Sequence, residues 1–266
     1  MPELPEVETI KRQLQRRILN KKIVGVIVRR KNLIKEPSLA EFKKKLIGST
    51  IDGIIRKGKL IIIALSQKNF LIVHLRISGW LEYGKNLDKA RVSFELSNKK
   101  FLNYMDQRTL GELRLRDHYK DLSFVRTLGP EPFKLSPKEF HAIISKKKTK
   151  IKVLLLDQKV ISGIGNIYAQ EALFLSGIDP NRKADSINQS QASLLLEKII
   201  HVLNEGIKYG GSSVDTYRNI EGNKGGMEER LKVYGRQKLP CFSCKSPISK
   251  ISLAGRGTCF CPNCQK

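Results

Sequence analysis

The first periodic run of hydrophobic positions lies close to the amino terminus. Its apolar residues recur at spacings of three and four: Val7, Ile10, Leu14 and Ile18. With Lys and Arg on the other faces, this pattern predicts an amphipathic helix over residues 5–18. Pro5 suits the first helical turn, and Glu6 suits the positive end of the helix dipole. Glu8 is expected to be a solvated helix residue.

From about residue 22 to residue 116 the pattern changes to short β-rich runs separated by Gly, Asn and Lys. The runs that we predict to be strands are residues 23–28, 59–65, 70–75, 91–96, 101–104 and 112–115. Many short strands with turn signals between them are typical of a sandwich or a barrel.

Beyond a Pro-rich stretch, LGPEPFKLSP, the pattern becomes helical. Ser136 and Glu139 form a capping box that opens a helix through residue 144. Further helices are predicted over residues 152–158, 167–175 and 190–209, and cysteines organise the last part of the chain. The predicted domains are residues 1–129, a linker at 130–137, a helical domain at 138–229 and a zinc-ribbon unit at 230–266.

Composition and charge narrow the class of protein. Hydrophobic residues make up 40% of the chain, which is enough for real cores. No apolar run reaches the roughly 18 residues of a membrane helix, and the terminus does not resemble a secretion signal, so we expect a soluble, cytoplasmic protein without a membrane partner. Fifty Lys and Arg against 25 Asp and Glu give a net charge of +25, which favours a polyanionic partner, above all nucleic acid. A generally Lys-rich proteome is the alternative, although the basic residues cluster locally.

Four cysteines carry the most specific spacing in the chain. Two CxxC pairs are separated by sixteen residues, and their members are Cys241, Cys244, Cys261 and Cys264. Such pairs present four thiolates as a tetrahedral site for one structural zinc ion with no open position for water. Cys259 falls outside the pattern and is expected to be a reduced, packed thiol. Zinc and free thiols again indicate the cytoplasm.

Two glycine-containing stretches are candidates for contacts with phosphate. Arg256 lies between two glycines in AGRGT, where the backbone can approach a phosphate or a groove; a simple hairpin turn is the alternative. Gly163 and Gly165 precede a helix that starts near Asn166, so backbone N–H groups and the Asn side chain could meet an anion. A tight turn between helices is the alternative for that stretch.

The chain resembles a known family over essentially its whole length. The resemblance is carried by PELPEVET at the terminus, DQRTLG at residues 106–111, GIGNIYAQEALF, and the four-cysteine zinc ribbon with GRGT. These motifs occur in the order and at the spacing of the bacterial formamidopyrimidine-DNA glycosylases. The related endonuclease VIII glycosylases share the architecture but usually begin differently after Pro-Glu.

The resemblance implies an α+β multidomain fold: an N-terminal helix plus a β-sandwich domain, a helical helix–two-turn–helix domain and a terminal zinc ribbon. It implies a monomeric, bifunctional DNA glycosylase/AP lyase of base excision repair, located in the cytoplasm and associated with the nucleoid through DNA. Such an enzyme removes oxidised purines, namely 8-oxoguanine and formamidopyrimidines, from double-stranded DNA and also acts on abasic sites. The alternatives are an endonuclease VIII-like glycosylase for oxidised pyrimidines and a non-catalytic zinc-ribbon DNA-binding protein.

The resemblance also assigns roles to catalytic residues. Pro2 becomes the nucleophile after Met1 is removed, forming a Schiff base that leads to β,δ-elimination. Glu3 resembles the general acid, and Glu6 a second acidic position with an orienting or electrostatic role. Lys59 matches the hairpin lysine credited with proton transfer, and Arg256 is associated with the later elimination step.

Further residues are implied to bind DNA. The phosphate-binding and DNA-contacting positions of the family map onto His74, Arg91, Lys148, Lys152, Asn166 and Arg256. Ile77, Arg108 and Leu110 match the residues that fill the gap left by an extruded base, where relatives usually insert Met, Arg and Phe. Residues 212–229 match a base-covering loop, and their glycines together with Gly211 are expected to give it mobility.

Overall fold

The computed structural model describes residues 1–214 and 216–266, so Asp215, in the expected base-covering loop, lies outside the described residues. The chain divides into two compact units. The N-terminal unit contains Met1–Arg126 and Ile207–Glu228, and the C-terminal unit contains Thr127–Gly206 and Glu229–Lys266. The helical domain that we expected at 138–229 is therefore divided, because Ile207–Glu228 belongs to the N-terminal unit. Within the described ranges, no helix is long and apolar enough to cross a membrane.

Helix α1, Leu4–Ile18, confirms the helix predicted at the terminus. All four residues of its apolar stripe are buried. Glu8 does not match the expectation of a solvated residue, because it is only 9% exposed and accepts hydrogen bonds from Arg12 and Arg56. Burial by itself would raise the pKa of Glu8, but these two guanidinium groups outweigh it and lower the pKa.

The rest of the N-terminal unit is built from two sheets. In chain order its elements are β1 (Ile23–Val28), β2 (Ile34–Glu36), α2 (Leu39–Leu46), β3 (Ile51–Lys57), β4 (Leu60–Leu65), β5 (Asn69–His74), β6 (Gly79–Gly84), β7 (Val92–Leu96), β8 (Phe101–Asp106), β9 (Glu112–Arg116) and α3 (Ser123–Arg126). One sheet has the order β1-β7-β8-β6 and the other β2-β9-β5-β4-β3. Both sheets and α1 contribute to one hydrophobic core. The unit is the expected N-terminal helix plus β-sandwich.

The sequence pattern did not predict four elements of this unit: β2, α2, β3 and β6. Strand β3 has the sequence IDGIIRK, whose Asp, Gly and Arg interrupt the alternation, yet pairing with β4 along its length makes it a strand. Helix α2 is short and begins at Ser38, whose hydroxyl accepts a hydrogen bond from the Glu41 N–H. Its Phe42 and Leu46 lie four positions apart on one buried face, so the local signals of a helix were present and the sequence prediction missed them.

The C-terminal unit is helical and ends in a hairpin. Its elements are α4 (Pro137–Ile144), α5 (Ile151–Leu156), α6 (Asn166–Leu175), α7 (Gln189–Lys208), β10 (Ser249–Leu253) and β11 (Arg256–Phe260). The capping box of Ser136 and Glu139 opens α4 as predicted. Glu171 of α6 is 2% exposed and accepts three backbone N–H groups, those of residues 232–234. That carboxylate fixes the chain as it enters the zinc ribbon.

The described residues 209–214 and 216–226 belong to the N-terminal unit and are anchored in it. Ile220 is fully buried, its carbonyl accepts from the Tyr83 N–H at 2.7 Å, and its N–H donates to Gln13 at 3.2 Å. A Cβ on Gly211, whose φ is +88°, would lie 2.8 Å from the Glu6 side chain, and one on Gly225 would lie 2.1 Å from the Gly211 carbonyl. These two glycines therefore allow close approach of the backbone to Glu6 and to the Gly211 carbonyl.

We predict that Ile220→Ala lowers the free energy of unfolding by about 2–4 kcal/mol, because it leaves a cavity in the core. Urea unfolding would measure this. The control is Val214→Ala in the same segment, where the side chain is 40% exposed and the expected loss is below about 0.5 kcal/mol. Equal losses for the two variants would contradict the anchoring.

Candidate functional site

Residues 2–8 are buried although they carry three carboxylates, whereas Met1 before them is 37% exposed. Pro2 is buried, and Glu3 and Glu6 are 2% and 1% exposed. The two oxygens of Glu6 accept from the backbone N–H of Glu3 at 2.7 Å and from that of Ser212 at 2.8 Å. The Ser212 hydroxyl is buried beside this carboxylate and has no hydrogen-bond partner among the described residues. Glu6 thus holds Glu3 and the 211–212 turn in place.

Lys59 lies at the tip of the β3–β4 hairpin and is 8% exposed. The turn is made by Gly58, with a φ of +55°, and Lys59, between the paired residues Lys57 and Leu60. Arg56 fastens this tip to α1, since its guanidinium donates to Glu8 at 2.8 Å and to the Gly58 carbonyl at 3.0 Å. The ion pair therefore places Lys59 with respect to the terminal helix.

His74 ends β5 opposite Leu60, the residue that follows Lys59. Burial, reinforced by the charge of Arg76, lowers the pKa of His74 to about 3, so its ring is neutral at pH 7. Nδ1 accepts from the Arg76 N–H at 3.1 Å, which assigns the proton to Nε2. In this state His74 offers one N–H donor to a ligand and carries no charge.

Two loops at one end of the sheets carry the expected wedge residues. The first wedge loop, residues 75–78, holds Ile77, and the second wedge loop, residues 107–111, holds Arg108 and Leu110. Ile77 is 38% exposed, Leu110 is 45% exposed, and Arg108 is also exposed. Arg91 is half-buried and donates from Nε to the Asp106 carbonyl at 2.8 Å, just before the second loop. Both apolar side chains therefore remain accessible to a ligand.

In the C-terminal unit, Arg256 stands at the tip of the β10–β11 hairpin. The turn is formed by Ala254 and Gly255, both with positive φ, and Arg256 is the first residue of β11, paired with Leu253. Its side chain is exposed. The backbone of AGRGT is therefore a simple hairpin turn, which was the alternative for this stretch. The exposed guanidinium of Arg256 projects from the tip of this turn.

Lys152 is fully buried behind this hairpin. Its ammonium donates to the Thr258 hydroxyl at 2.5 Å and to the Gly257 carbonyl at 3.4 Å. In this structure it is a positioning residue for the strand that carries Arg256, because a side chain with no exposed surface does not reach a DNA strand.

Asn166 opens α6, is half-buried, and also donates to the Gly257 carbonyl, at 3.4 Å. Lys148 is exposed between α4 and α5. The expected anion site at the two glycines is less open than the sequence indicated. The Gly163 N–H already donates to the Gln158 side chain at 2.9 Å.

The four cysteines of the two CxxC pairs form a metal centre. Their sulfur atoms all lie within 4.8 Å of one another, at 3.9 Å for Cys241 and Cys264 and at 3.4 Å for Cys244 and Cys261. A tetrahedral zinc with Zn–S bonds of about 2.3 Å needs sulfur atoms about 3.8 Å apart, so the donor set fits one structural zinc ion. Cys259 is 5% exposed and lies outside this cluster, as expected.

Several residues that position the site were missed by sequence reasoning. Gln170 is 1% exposed, accepts from the Cys259 N–H at 2.6 Å and donates to the Gly257 carbonyl at 3.2 Å. It adjoins Glu171 in YAQEALF, and two polar residues inside an otherwise buried helical run were the available signal. Asp106 opens the motif DQRTLG and bonds Gly111 at its end, so the sequence did carry a signal for it. Arg56 and Ser212 had no comparable signal, because their partners Glu8 and Glu6 are distant in the chain.

We predict that Cys261→Ser lowers the zinc content from one to below about 0.2 per chain, because the closed site loses one of its four thiolates. The measurement is elemental analysis of the purified protein. Cys259→Ser is the matched control, since it changes a neighbouring buried thiol outside the cluster, and it should retain full zinc. Equal zinc loss in both variants would rule out the four-cysteine assignment.

We also predict that the ring of His74 stays neutral from pH 7.5 down to about pH 4.5, because the pKa of about 3 lies below this window. Nitrogen-15 NMR of the imidazole should show Nε2 protonated and Nδ1 unprotonated throughout. The His74→Gln variant assigns the signal. A titration midpoint near the ordinary histidine value of about 6.5 would refute the buried, neutral state.

Comparison with known proteins agrees with this geometry. Three family models match: the formamidopyrimidine-DNA glycosylase N-terminal domain at residues 1–113, the formamidopyrimidine-DNA glycosylase H2TH domain at 128–218, and the zinc finger found in FPG and IleRS at 238–266. The chain is 38% identical over 272 residues to the formamidopyrimidine-DNA glycosylase of Mycoplasma mobile, covering 100% of this chain and 99% of the relative. It is 39% identical over 275 residues to that of Bacillus cereus strain ZK / E33L, with the same coverage.

Solved structures give the same result. A Lactococcus lactis FPG mutant in complex with a Fapy-dG containing DNA superposes with a TM-score of 0.93 at 36% identity, covering 100% of both chains. The Lactococcus lactis Fpg in complex with an abasic site containing DNA has a TM-score of 0.92 at 35% identity, again over 100% of both chains. With the buried Pro-Glu terminus, the hairpin lysine and the four-cysteine zinc site in place, this chain belongs to the formamidopyrimidine-DNA glycosylase family, the DNA glycosylases of base excision repair.

Proposed function

We propose that this protein is a bifunctional DNA glycosylase/AP lyase that excises oxidised purines, with Pro2 as its nucleophile. The observation that carries the proposal is the buried terminus, where Pro2 and Glu3 are held by Glu6 and the Lys59 hairpin is tied to the same helix through Glu8. A net charge of +25 supports a DNA substrate.

The chemistry requires that the Met1–Pro2 bond be cut, because an amide nitrogen has no available lone pair. A free α-amino group has a pKa of about 8, so an unprotonated fraction exists at neutral pH. The amine attacks C1′ of the deoxyribose, and the bond from C1′ to the base breaks. The nitrogen lone pair then opens the C1′–O4′ bond, O4′ takes a proton, and an iminium forms.

Glu3 and Lys59 supply the proton transfers in this scheme. Glu3 adjoins the nucleophile and is the general acid for O4′ or the departing base. The iminium acidifies the C2′ protons. Loss of one expels the 3′ phosphate, and loss of a C4′ proton then expels the 5′ phosphate. Lys59, on its anchored hairpin, is the group that shuttles these protons, and Arg256 assists the later elimination.

Two sets of residues bind the DNA backbone in the proposal. In the N-terminal unit, His74 donates from a neutral ring and Arg91 contributes a cation. In the C-terminal unit, exposed Arg256 and Lys148 contribute charge and Asn166 an amide, while Lys152 acts indirectly through the hairpin. Ile77, Arg108 and Leu110 occupy the gap in the stack when the damaged nucleotide is extruded.

The choice of oxidised purines follows the relatives. The Lactococcus lactis structures contain Fapy-dG or abasic-site DNA, and they match this chain over its whole length. We propose double-stranded DNA with 8-oxoguanine, formamidopyrimidines or abasic sites as the substrate of a monomeric enzyme located with the nucleoid in the cytoplasm.

Borohydride trapping tests the proposal directly. The protein whose mass confirms loss of Met1 should form a covalent adduct with an 8-oxoguanine:C duplex, and the same protein with Met1 retained should form none. A parallel duplex with thymine glycol tests the endonuclease VIII-like specificity. No adduct from the processed protein on either duplex would overturn the enzyme assignment, and preference for thymine glycol would overturn the substrate.

We predict that Lys59→Met slows strand cleavage about 100-fold, because a proton-transfer group is lost. Lys57→Met, two residues away on the same hairpin, is the matched control and should stay within about twofold. The measurement is single-turnover cleavage on abasic-site duplex. Similar rates for the two variants would exclude Lys59 as the proton shuttle.

A further inference from the structure

One buried carboxylate connects the two wedge loops. Asp106, the last residue of β8, is 2% exposed and lies opposite Gly79 in the β6–β8 pairing. Its Oδ1 accepts from the Ser78 hydroxyl at 2.6 Å, and its Oδ2 accepts from the Gly111 N–H at 2.8 Å. Ser78 is the last residue of the first wedge loop, and Gly111 is the last residue of the second. The two oxygens of a single carboxylate therefore hold the ends of both loops.

The Ser78 hydroxyl adds a second connection. It donates to Asp106 and also accepts from the Arg108 N–H at 3.3 Å. Ser78 is 1% exposed, so water does not replace these partners. The backbone of Arg108 is in this way tied to the loop that carries Ile77.

Both loops contain backbone that needs such support. Arg76 and Thr109 have φ values of +53° and +51°, in the left-handed region that costs energy for residues with a side chain. A Cβ on Gly111 would lie 1.5 Å from the Tyr104 hydroxyl, so the end of the second loop is packed without spare volume. On the first loop, Arg76 also donates to Glu112 at 2.5 Å.

We propose that Asp106 is a positioning residue of base excision, which makes the two wedge loops one rigid unit so that Ile77, Arg108 and Leu110 enter the base stack together. This rests on the proposed function, in which these side chains fill the gap left by the extruded nucleotide. It extends that function because the hydrogen bonds of the Asp106 carboxylate go to Ser78 and Gly111, which are not wedge residues. The carboxylate acts through the Ser78 hydroxyl and two backbone N–H groups.

Rigidity matters because Ile77 and Leu110 are short. Neither has the reach of Met or the flat face of Phe, so each fills less of the gap. A misplacement of about 1 Å in a positioning group can cost up to a hundredfold in rate. Preorganising both loops offsets the smaller side chains, since no ordering has to occur when the stack opens.

The test compares Ser78→Ala with Ser93→Ala. Ser93 is also fully buried in the same unit, and its hydroxyl bonds Asn103 at 2.9 Å, away from the wedge loops. Both variants should lose similar thermal stability. Ser78→Ala should slow single-turnover excision of 8-oxoguanine at least tenfold while cleavage of a preformed abasic site stays within about twofold. Ser93→Ala should leave both rates within about twofold.

Three further measurements separate a positioning role from a loss of stability. Asp106→Asn keeps an acceptor for the Gly111 N–H but not the carboxylate for Ser78, and it should show the same selective loss of excision. In the wild type, the free-energy effects of Ile77→Ala and Leu110→Ala on the excision rate should be strongly non-additive. In the Ser78→Ala background, the same two effects should add. 2-Aminopurine fluorescence beside a non-cleavable abasic analogue should rise less on binding Ser78→Ala.

The outcomes distinguish the proposals. If Ile77→Ala and Leu110→Ala slow excision but Ser78→Ala and Asp106→Asn behave like Ser93→Ala, the role of Asp106 is overturned while the proposed function stands. If Ile77→Ala and Leu110→Ala change nothing, the wedge assignment fails and the role of Asp106 fails with it. A processed wild type that excises no oxidised base overturns the proposed function itself.

Discussion

The carboxylate of Glu6 is shared by two backbone N–H groups from distant parts of the chain, those of Glu3 and Ser212. A buried carboxylate deprived of such donors is costly, so the first helical turn and the 211–212 turn are held in one geometry. That constraint leaves no room for a side chain at Gly211 and keeps Pro2 buried beside Glu3. The position of every reactive group at the terminus depends on it.

Other buried charged groups in this strongly basic protein are also held by specific partners. Its surface carries the excess of cations, while a few buried charged groups each meet specific partners: Glu8 with Arg56, Asp106 with Ser78, and Lys152 with Thr258. Because a buried charge is stable only with well-placed partners, each of these contacts fixes the local backbone. The Lys59 turn, the wedge loops and the hairpin of Arg256 are therefore held in fixed positions.

Function is distributed over the two units in a way that fits a DNA glycosylase. The N-terminal unit carries the terminus, the Lys59 hairpin and the wedge loops, which together supply the proposed chemistry and base extrusion. The C-terminal unit presents Arg256 on a ribbon stabilised by zinc on one side and by Lys152 and Gln170 on the other. Zinc here is structural, since its four thiolates close the coordination sphere.

Local patterns in the sequence determined α1, the capped helix at Ser136, most strands of the N-terminal unit, the four-cysteine zinc site and the family. They failed for β3, where pairing with β4 overrides an interrupted alternation, and α2 was missed although its capping serine was visible in the sequence. Only the tertiary structure showed that Glu8 is buried and that Lys152 supports a hairpin. The physical reason is that periodicity and short motifs report contacts between near neighbours in the chain, whereas buried polar groups are satisfied by partners brought close only by folding.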